Sequence, residues 1–248
     1  MPNTWFQFKQ FTIQQEKTAM KVGTDGVLLG AWASVPGPGS RVLDVGTGTG
    51  LIALMIAQRT REVMVDALEI EPSSARQAKE NFQNSPWKER LNAIHSSFQD
   101  YSSRCQYRYD LIICNPPFFS GSQKTPSKEK NLARHDDSLS LGDFLKSSVS
   151  IMKETAVISL ILPVQKETQL LDLILEHQMY CNRKTLVVPS PGKPANRVLL
   201  EFSFHPGKNQ EDDLTIETGG RHIYSDRYKN LTDEFYLFNH PLPTKFTT

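Results

Sequence analysis

The stretch RVLDVGTGTG, residues 41–50, decides the fold class of this chain. An apolar run typical of a buried strand leads into three glycines spaced G-x-G-x-G, and the apolar run 51–57 that follows has a helical pattern. A second apolar strand, 63–68, closes on Glu69, about 20 residues after the turn. Strand, glycine turn, helix, strand and acid in this order indicate an α/β fold with a nucleotide-type cofactor loop.

Alternation of strands and helices continues along the chain, which predicts right-handed crossovers and a mostly parallel sheet. The proline-rich turn 189–194 predicts that the last two strands are antiparallel neighbours. Pro72 suits the first turn of a helix, where its missing N–H needs no partner. The predicted strands are 41–46, 63–69, 91–96, 109–114, 156–162, 184–189 and 197–204, and the predicted helices are 50–60, 72–84, 141–152 and 167–177.

A second stretch, DLIICNPPF at residues 110–118, ends an apolar strand in an amide, two prolines and an aromatic ring. The side-chain oxygen of Asn115 and the carbonyl of Pro116 can accept the two hydrogens of a conjugated amino group, while Phe118 can stack on its ring. Hydrogen bonds that strengthen as the nitrogen becomes cationic favour methylation of a planar nitrogen. An ordinary turn after a strand remains the structural alternative.

The glycine turn and residues 115–118 together resemble the class I S-adenosylmethionine-dependent methyltransferases, whose members that methylate amino or amide nitrogens carry the motif [NDS]-P-P-[YFW]. Other stretches are similar to a narrower family, the bacterial tRNA1(Val) adenine-37 N6-methyltransferases. They are FKQF (8–11), KVGTDG (21–26), LLGAW (28–32), RVLLEF (197–202) and FYL (235–237). The resemblance therefore covers nearly the whole chain.

The resemblance implies an α/β, Rossmann-like fold whose sheet is seven-stranded and mostly parallel, with the last strand reversed. It implies one methyltransferase domain, in which we distinguish an N-terminal extension near the cofactor site (1–34), a core (35–205) and a C-terminal extension (206–248). The activity implied is methyl transfer from S-adenosylmethionine to N6 of adenosine 37 in the anticodon loop of tRNA(Val).

Strand ends supply the expected cofactor contacts. Asp44 would lie near the cofactor's ammonium group, the glycines would let the backbone approach its methionine end, and Glu69 would accept its ribose hydroxyl protons. Many relatives have an Asp that contacts the adenine where this chain has Ser97, and Asp100 lies three residues later. The catalytic set is Asn115, Pro116, Pro117 and Phe118, and the cofactor set is Lys21, Thr24, Asp44, Gly46, Thr47, Gly48, Gly50, Glu69, Ile70, Ser97, Phe98 and Asn115.

The turn formed by Thr24, Asp25 and Gly26 allows a second interpretation. Family resemblance places it near the site, but Thr24 or Asp25 can also cap the N-terminus of the helix that follows. The two roles are compatible, since a capped helix can orient a ligand contact.

Composition fits a single enzyme domain. The 248 residues are 38% hydrophobic and 22% charged, enough for one large core. Three cysteines without C-x-x-C spacing and six unclustered histidines predict neither disulfides nor a metal site. The longest apolar runs are strand-sized and the N-terminus lacks a signal-like block, so we expect a cytoplasmic protein without membrane contact. We expect it to be a monomer.

The formal net charge of +1 identifies no partner, so the distribution of basic residues matters more. One group lies in the polar segment 120–138, directly after the candidate catalytic strand end, where it can contact the phosphates of an anticodon stem-loop. Keeping a charged loop soluble is an equally good explanation. The first group is Lys124, Lys128, Lys130 and Arg134, and a second candidate patch is Lys193, Arg197, Arg221, Arg227 and Lys229.

Two other functions remain open. The same Asn-Pro-Pro arrangement serves methylation of guanine N2 in ribosomal RNA and of glutamine in release factors, and Asn115 alone does not choose between these acceptors. A hypothesis of another class is a noncatalytic RNA-binding scaffold with a methyltransferase fold. The presence of Asp44, Glu69 and Asn115 favours the enzyme, and the N-terminal signature favours tRNA.

Overall fold

A computed structural model describes residues 3–18, 20–116 and 139–237 of the chain. Strands and helices alternate through most of this length, after a short N-terminal hairpin. The strands are β1 (Trp5–Gln7), β2 (Thr12–Gln14), β3 (Arg41–Val45), β4 (Met64–Glu69), β5 (Leu91–His95), β6 (Tyr109–Cys114), β7 (Met152–Pro163), β8 (Tyr180–Val188), β9 (Arg197–Ser203) and β10 (Gln210–Thr215). The helices are α1 (Thr24–Trp32), α2 (Leu51–Arg59), α3 (Pro72–Gln83), α4 (Phe98–Arg104), α5 (Leu141–Ile151), α6 (Glu167–Glu176) and α7 (Asp226–Thr232).

Eight strands form the main sheet, in the order β10-β8-β9-β7-β6-β3-β4-β5. The five strands from β5 to β7 in this order pair in parallel, and β9 is antiparallel to both β7 and β8. The α/β fold with a mostly parallel sheet and a reversed last core strand is thus confirmed. The sheet has one strand more than the seven expected, because β10 adds to the outer edge in parallel with β8.

Helices cover both faces of this sheet. Because side chains alternate along each strand, they contribute to two apolar clusters, one on each face. Along β3, Val42 faces the cluster formed with α1, α2 and α3, whereas Leu43 and Val45 face the cluster formed with α4, α5 and α6. Because side chains alternate in direction along a strand, Asp44 points to the same face as Val42. This places its carboxylate beneath the start of α2.

The predicted strands and helices are present, with differences at their ends. The strands β7 and β8 each begin about four residues earlier than the apolar pattern indicates, because most of the residues added at this end are polar. Five short elements were not expected, namely the strands β1, β2 and β10 and the helices α4 and α7. Each is at most seven residues long, too short to show a clear hydrophobic period.

Candidate cofactor and active site

The carboxyl ends of four neighbouring strands bring the main candidate residues to one edge of the sheet. In the order β6-β3-β4-β5, these strands end at or next to Asn115, the glycine turn after Asp44, Glu69 and Ser97. Ligands of open α/β sheets bind in the crevice at this edge. Residues that are up to 71 positions apart in sequence therefore share one crevice, as Asp44 and Asn115 show.

Asp44 is fully buried, and only one of its two carboxylate oxygens has hydrogen-bond partners. Its Oδ2 atom accepts hydrogen bonds from Oγ1 of Thr47 (2.6 Å) and from the backbone N–H of Ala53 (3.2 Å). Its Oδ1 atom is buried without a hydrogen-bond partner. Burial raises the pKa of this carboxyl to about 7; the two hydrogen bonds oppose the shift, and the charge of Glu69 adds to it. An ammonium group at Oδ1 would satisfy the atom and lower this pKa.

The glycine turn between β3 and α2 is left-handed at three positions, with φ values of 73° at Gly46, 57° at Gly48 and 84° at Gly50. A Cβ atom at Gly46 or Gly48 would meet nothing within 4 Å, so the backbone there borders open space. At Gly50 a Cβ atom would lie 2.4 Å from Cε1 of Phe82. The first two glycines thus leave room for a ligand, and the third permits close packing with α3.

Glu69 accepts hydrogen bonds from two backbone segments at the carboxyl edge of the sheet. Its Oε2 atom accepts the N–H of Gly48 at 2.9 Å, and its Oε1 atom accepts the N–H of Glu71 at 2.9 Å. Each carboxylate oxygen has a further lone pair, so both can still accept a hydroxyl hydrogen. The next residue, Ile70, leaves 51% of its surface exposed, which provides an apolar surface at the same edge.

The end of β5 combines a half-buried hydroxyl and an exposed carboxylate with a buried ring. Ser97 is the N-cap of α4, and its hydroxyl oxygen accepts the N–H of Asp100 at 3.1 Å. Phe98 is buried and packs against Phe144, with ring centroids 5.6 Å apart. Phe98 can therefore offer a ligand only its main chain, whereas the Ser97 hydroxyl can still donate its hydrogen and the Asp100 side chain is exposed.

Asn115 and Pro116 follow β6 directly and are half-buried. A Cβ atom at Gly26, in the first turn of α1, would lie 3.9 Å from Nδ2 of Asn115, and no other Asn115 atom comes within 4 Å of that point. The side-chain nitrogen thus faces α1. Pro117, Phe118, Lys124, Lys128, Lys130 and Arg134 lie outside the described residues, so their predicted roles stay predictions.

The helix-cap interpretation of Thr24 and Asp25 is wrong. Gly23 is the N-cap of α1 and no side chain caps the helix, while Thr24 is exposed. Asp25 accepts a hydrogen bond from Nε of Arg197 at 2.7 Å instead. The predicted cofactor residue Lys21 donates its ammonium group to the carbonyl of Gln15.

The second basic patch is largely engaged in ion pairs. Arg197 pairs with Asp25, Arg227 with Asp212, and Lys229 with Asp226 at 3.7 Å. Lys193 and Arg221 are exposed and make no ion pair with another described residue. Sequence reasoning also missed Asn81, whose side chain donates a hydrogen bond to the carbonyl of Thr49 in the glycine turn. An amide at position 81, on the buried face of α3 between Ala78 and Phe82, was a signal for this contact.

Comparisons with known proteins identify the family. The Methyltransferase small domain matches residues 25–139. The tRNA1(Val) (adenine(37)-N6)-methyltransferase of Flavobacterium psychrophilum is 44% identical over 232 residues, covering 94% of this chain and 99% of that protein. The protein of the same name from Bacteroides thetaiotaomicron is 43% identical over 238 residues, covering 96% and 99%. The chain belongs to the tRNA1(Val) (adenine(37)-N6)-methyltransferase family.

Solved structures show that this family member has the methyltransferase fold. A predicted O-methyltransferase from Agrobacterium tumefaciens matches with a TM-score of 0.68 at 18% identity, covering 85% of this chain and 96% of its own. The M. jannaschii tRNA m1G37 methyltransferase matches with a TM-score of 0.57 at 13% identity, covering 83% and 56%. At these identities the likeness concerns the fold alone.

The described residues of this methyltransferase contain no group of three His, Cys, Asp or Glu that could hold a metal ion. No helix in the same part of the chain is long and apolar enough to cross a membrane. The carboxyl edge of the sheet offers a buried unpaired carboxylate oxygen, open backbone at two glycines and an exposed apolar side chain. Together with the remaining lone pairs of Glu69, these groups fit an organic cation that carries a sugar and a planar ring.

Proposed function

We propose that this protein transfers the methyl group of S-adenosylmethionine to N6 of adenosine 37 in the anticodon loop of tRNA(Val). The observation that carries the proposal is the position of Asn115. It directly follows β6, the strand that pairs with β3, so it lies at the same carboxyl edge of the sheet as the glycine turn after Asp44, whose Oδ1 is buried without a partner. The names of the relatives, which match over almost their full length, supply the substrate.

The cofactor residues divide by chemistry. Oδ1 of Asp44 would receive the ammonium group, and the backbone of Gly46 and Gly48 would border the methionine end. Glu69 would accept the ribose hydroxyl hydrogens with its remaining lone pairs, while Ile70 and Ser97 would contact the adenine. S-adenosylmethionine supplies a methyl group bonded to a sulfonium sulfur, which makes the methyl carbon electrophilic.

The chain's own residues would hold and polarise the acceptor. Because Nδ2 of Asn115 faces α1, its Oδ1 is left for one N6 hydrogen, and the carbonyl of Pro116 would accept the other. Both bonds strengthen as positive charge develops on N6, which lowers the barrier. The C–S bond breaks as the C–N bond forms, and one N6 proton then leaves to water. Phe118 would stack on the adenine. Swinging this base out of a single-stranded loop costs less free energy than opening a base pair.

RNA contact, assembly and location complete the proposal. We expect Lys193 and the basic residues of segment 120–138 to contact phosphates, because that segment follows Asn115 closely in the sequence. The chain would act as one domain and as a monomer, and a tRNA substrate implies a cytoplasmic location. Light scattering of the purified protein would test the monomer.

A labelling experiment tests the substrate. The protein is incubated with S-adenosylmethionine labelled at its methyl group and with total tRNA, ribosomal subunits or a release factor, and modified nucleosides are mapped by mass spectrometry. We expect N6-methyladenosine at position 37 of tRNA(Val) and no label in a transcript with guanosine at that position. Label only in ribosomal RNA or in the release factor would overturn the proposal.

A calorimetric titration with S-adenosylmethionine alone tests the alternative that the protein is a noncatalytic scaffold. A ligand that binds only the folded state must also raise the melting temperature. Heat of binding together with such a rise would support the enzyme. Their absence at millimolar cofactor would favour a scaffold that has kept the fold without the cofactor.

A further inference from the structure

Asn81 is a buried amide that connects three separate parts of the chain. It lies in α3 with 1% of its surface exposed. Its Oδ1 atom accepts the N–H of Gln14 at 2.9 Å, and its Nδ2 atom donates to the carbonyl of Gln14 at 2.9 Å and to the carbonyl of Thr49 at 2.8 Å. Both amide hydrogens are thus used, one toward the N-terminal hairpin and one toward the glycine turn.

The segment on the hairpin side, residues 14–18, lies along α3, and we call it the strap. Beyond Gln14, the N–H of Lys17 donates to Oε1 of Gln77 at 3.3 Å, and the carbonyl of Lys17 accepts from Oγ of Ser73 at 2.8 Å. Nζ of Lys17 also pairs with Glu80 at 2.6 Å. The strap therefore runs from Asn81 toward the start of α3, which follows Glu69 at the cofactor edge.

On its other side, Asn81 binds the glycine turn between two residues whose backbone is left-handed. Thr49 is buried and lies between Gly48 and Gly50, both of which have left-handed backbone conformations. Its carbonyl is shielded from solvent, and a buried backbone acceptor without a hydrogen-bond partner destabilises the fold. The Asn81 hydrogen bond therefore fixes the plane of the peptide that joins Thr49 to Gly50, and with it the direction of the neighbouring backbone.

We propose that Asn81 is a positioning residue that couples the strap to the cofactor loop, so that docking of the strap and binding of S-adenosylmethionine strengthen each other. This inference rests on the proposed function only in its choice of cofactor. Asn81 does not touch the cofactor and acts through the Thr49 carbonyl. Since coupling between two sites is reciprocal, cofactor binding must protect the strap by the same factor as the strap improves binding.

The test compares two buried amides on the same helix. Gln77, also 1% exposed, contacts the strap but makes no hydrogen bond to the glycine turn. We expect Asn81→Leu to raise the Kd of S-adenosylmethionine, measured by calorimetry without RNA, by about tenfold, the equivalent of one buried hydrogen bond. Gln77→Leu loses one strap contact but keeps the Asn81 hydrogen bond to Thr49, so it should raise the Kd by a clearly smaller factor.

Hydrogen exchange provides a second readout. Saturating S-adenosylmethionine should slow exchange of the Gln14 amide in the unchanged protein and in Gln77→Leu but not in Asn81→Leu. If Asn81→Leu does not fold, Asn81→Asp serves, because it keeps the acceptor for Gln14 and replaces the donor to Thr49 with an acceptor. An unchanged Kd in a folded Asn81 variant, or equal losses in the Asn81 and Gln77 variants, would overturn the proposal.

Failure of this inference is distinguishable from failure of the proposed function. Both readouts need only protein and cofactor. A protein that binds S-adenosylmethionine with the expected Asn81 dependence but methylates no tRNA would contradict the proposed substrate and leave the coupling intact.

Discussion

Nε of Arg197, at the start of β9, donates a hydrogen bond to Oδ2 of Asp25, in the first turn of α1, at 2.7 Å. The pair joins the N-terminal helix to the reversed strand at the rim that also carries Asn115. Both side chains are 34% exposed, so solvent screens the attraction and its contribution to stability is modest. Its main effect is geometric, because the first turn of α1 also contains Gly26, which borders Nδ2 of Asn115.

Substitutions of this pair test whether Arg197 serves to hold α1 against β9 or to contact RNA. We expect Arg197→Ala and Asp25→Ala to lower the free energy of unfolding by similar amounts, about 0.5–1 kcal/mol each, and the double variant to lose less than their sum. Denaturant titrations measure these values. The KM for tRNA should rise equally in both single variants, whereas a rise in Arg197→Ala alone would assign the guanidinium to a phosphate.

The amide at the end of β6 should affect turnover and not cofactor binding. We expect Asn115→Ala to lower kcat by roughly 10²–10³-fold, the usual cost of removing one group that stabilises a transition state. The Kd of S-adenosylmethionine should stay near that of the unchanged protein. Asn115→Asp keeps acceptor oxygens and is the matched control, which should retain part of the activity. Full turnover in Asn115→Ala would exclude the role.

Titration of Asp44 predicts how cofactor affinity depends on pH. Burial raises the pKa of this carboxyl to about 7, and an ammonium partner would bind its ionised form. The Kd of S-adenosylmethionine should therefore fall as the pH rises from about 5 to 7 and rise again above about 8, where an α-amino group loses its proton. Calorimetry across this range measures it. Asp44→Asn should bind weakly and lose the lower limb of the profile.

The same carboxyl affects stability without cofactor. Its pKa is higher in the folded than in the unfolded chain, so the folded state binds more protons between about pH 4 and pH 7. Its contribution to stability is fully present below pH 4 and is lost as the pH rises through 7. Asp44→Asn should therefore melt at a higher temperature than the unchanged protein at pH 8 without cofactor. An equal or lower melting temperature would contradict the burial argument.

Two glycines of one turn should fail in different ways when changed to alanine. At Gly48 the added methyl group meets open space, so the cost to stability is about 1–2 kcal/mol of backbone strain, but the methyl group enters the crevice. At Gly50 it collides with Phe82, so stability falls further. Thermal melts and cofactor titrations should therefore show mainly lost affinity in Gly48→Ala and mainly lost stability in Gly50→Ala. Phe82→Leu should partly rescue only Gly50→Ala.

How far the sequence predicted the molecule depended on the range of the interactions involved. Local patterns located the core strands and the residues at the ends of β3, β4, β5 and β6, because strand ends and glycine turns are encoded within ten or so residues. The Asp25 partner lies 172 positions away, so no local pattern could replace the cap interpretation with the ion pair. The contact of Asn81 with Thr49 likewise spans 32 positions.

Polarity explains why β10 was not predicted. The sequence of β10 is QEDDLT, and four of its six residues are exposed, so it shows neither an apolar run nor a clean alternation. Its partner strand and the side chains Thr185 and Arg227, which bind Asp212, hold it in place. Strands stabilised mainly by their neighbours carry little signal of their own.

That outermost strand has a consequence for solubility at high concentration. The far side of β10 offers backbone groups that could template another extended chain, which is how sheets grow into fibrils. Glu211, Asp212 and Asp213 stand in succession along it. Lys184 and Arg227 pair with Glu211 and Asp212, so among the described residues of this strand it is the carboxylate of Asp213 that would repel a second copy approaching edge to edge, which opposes extension of the sheet between molecules.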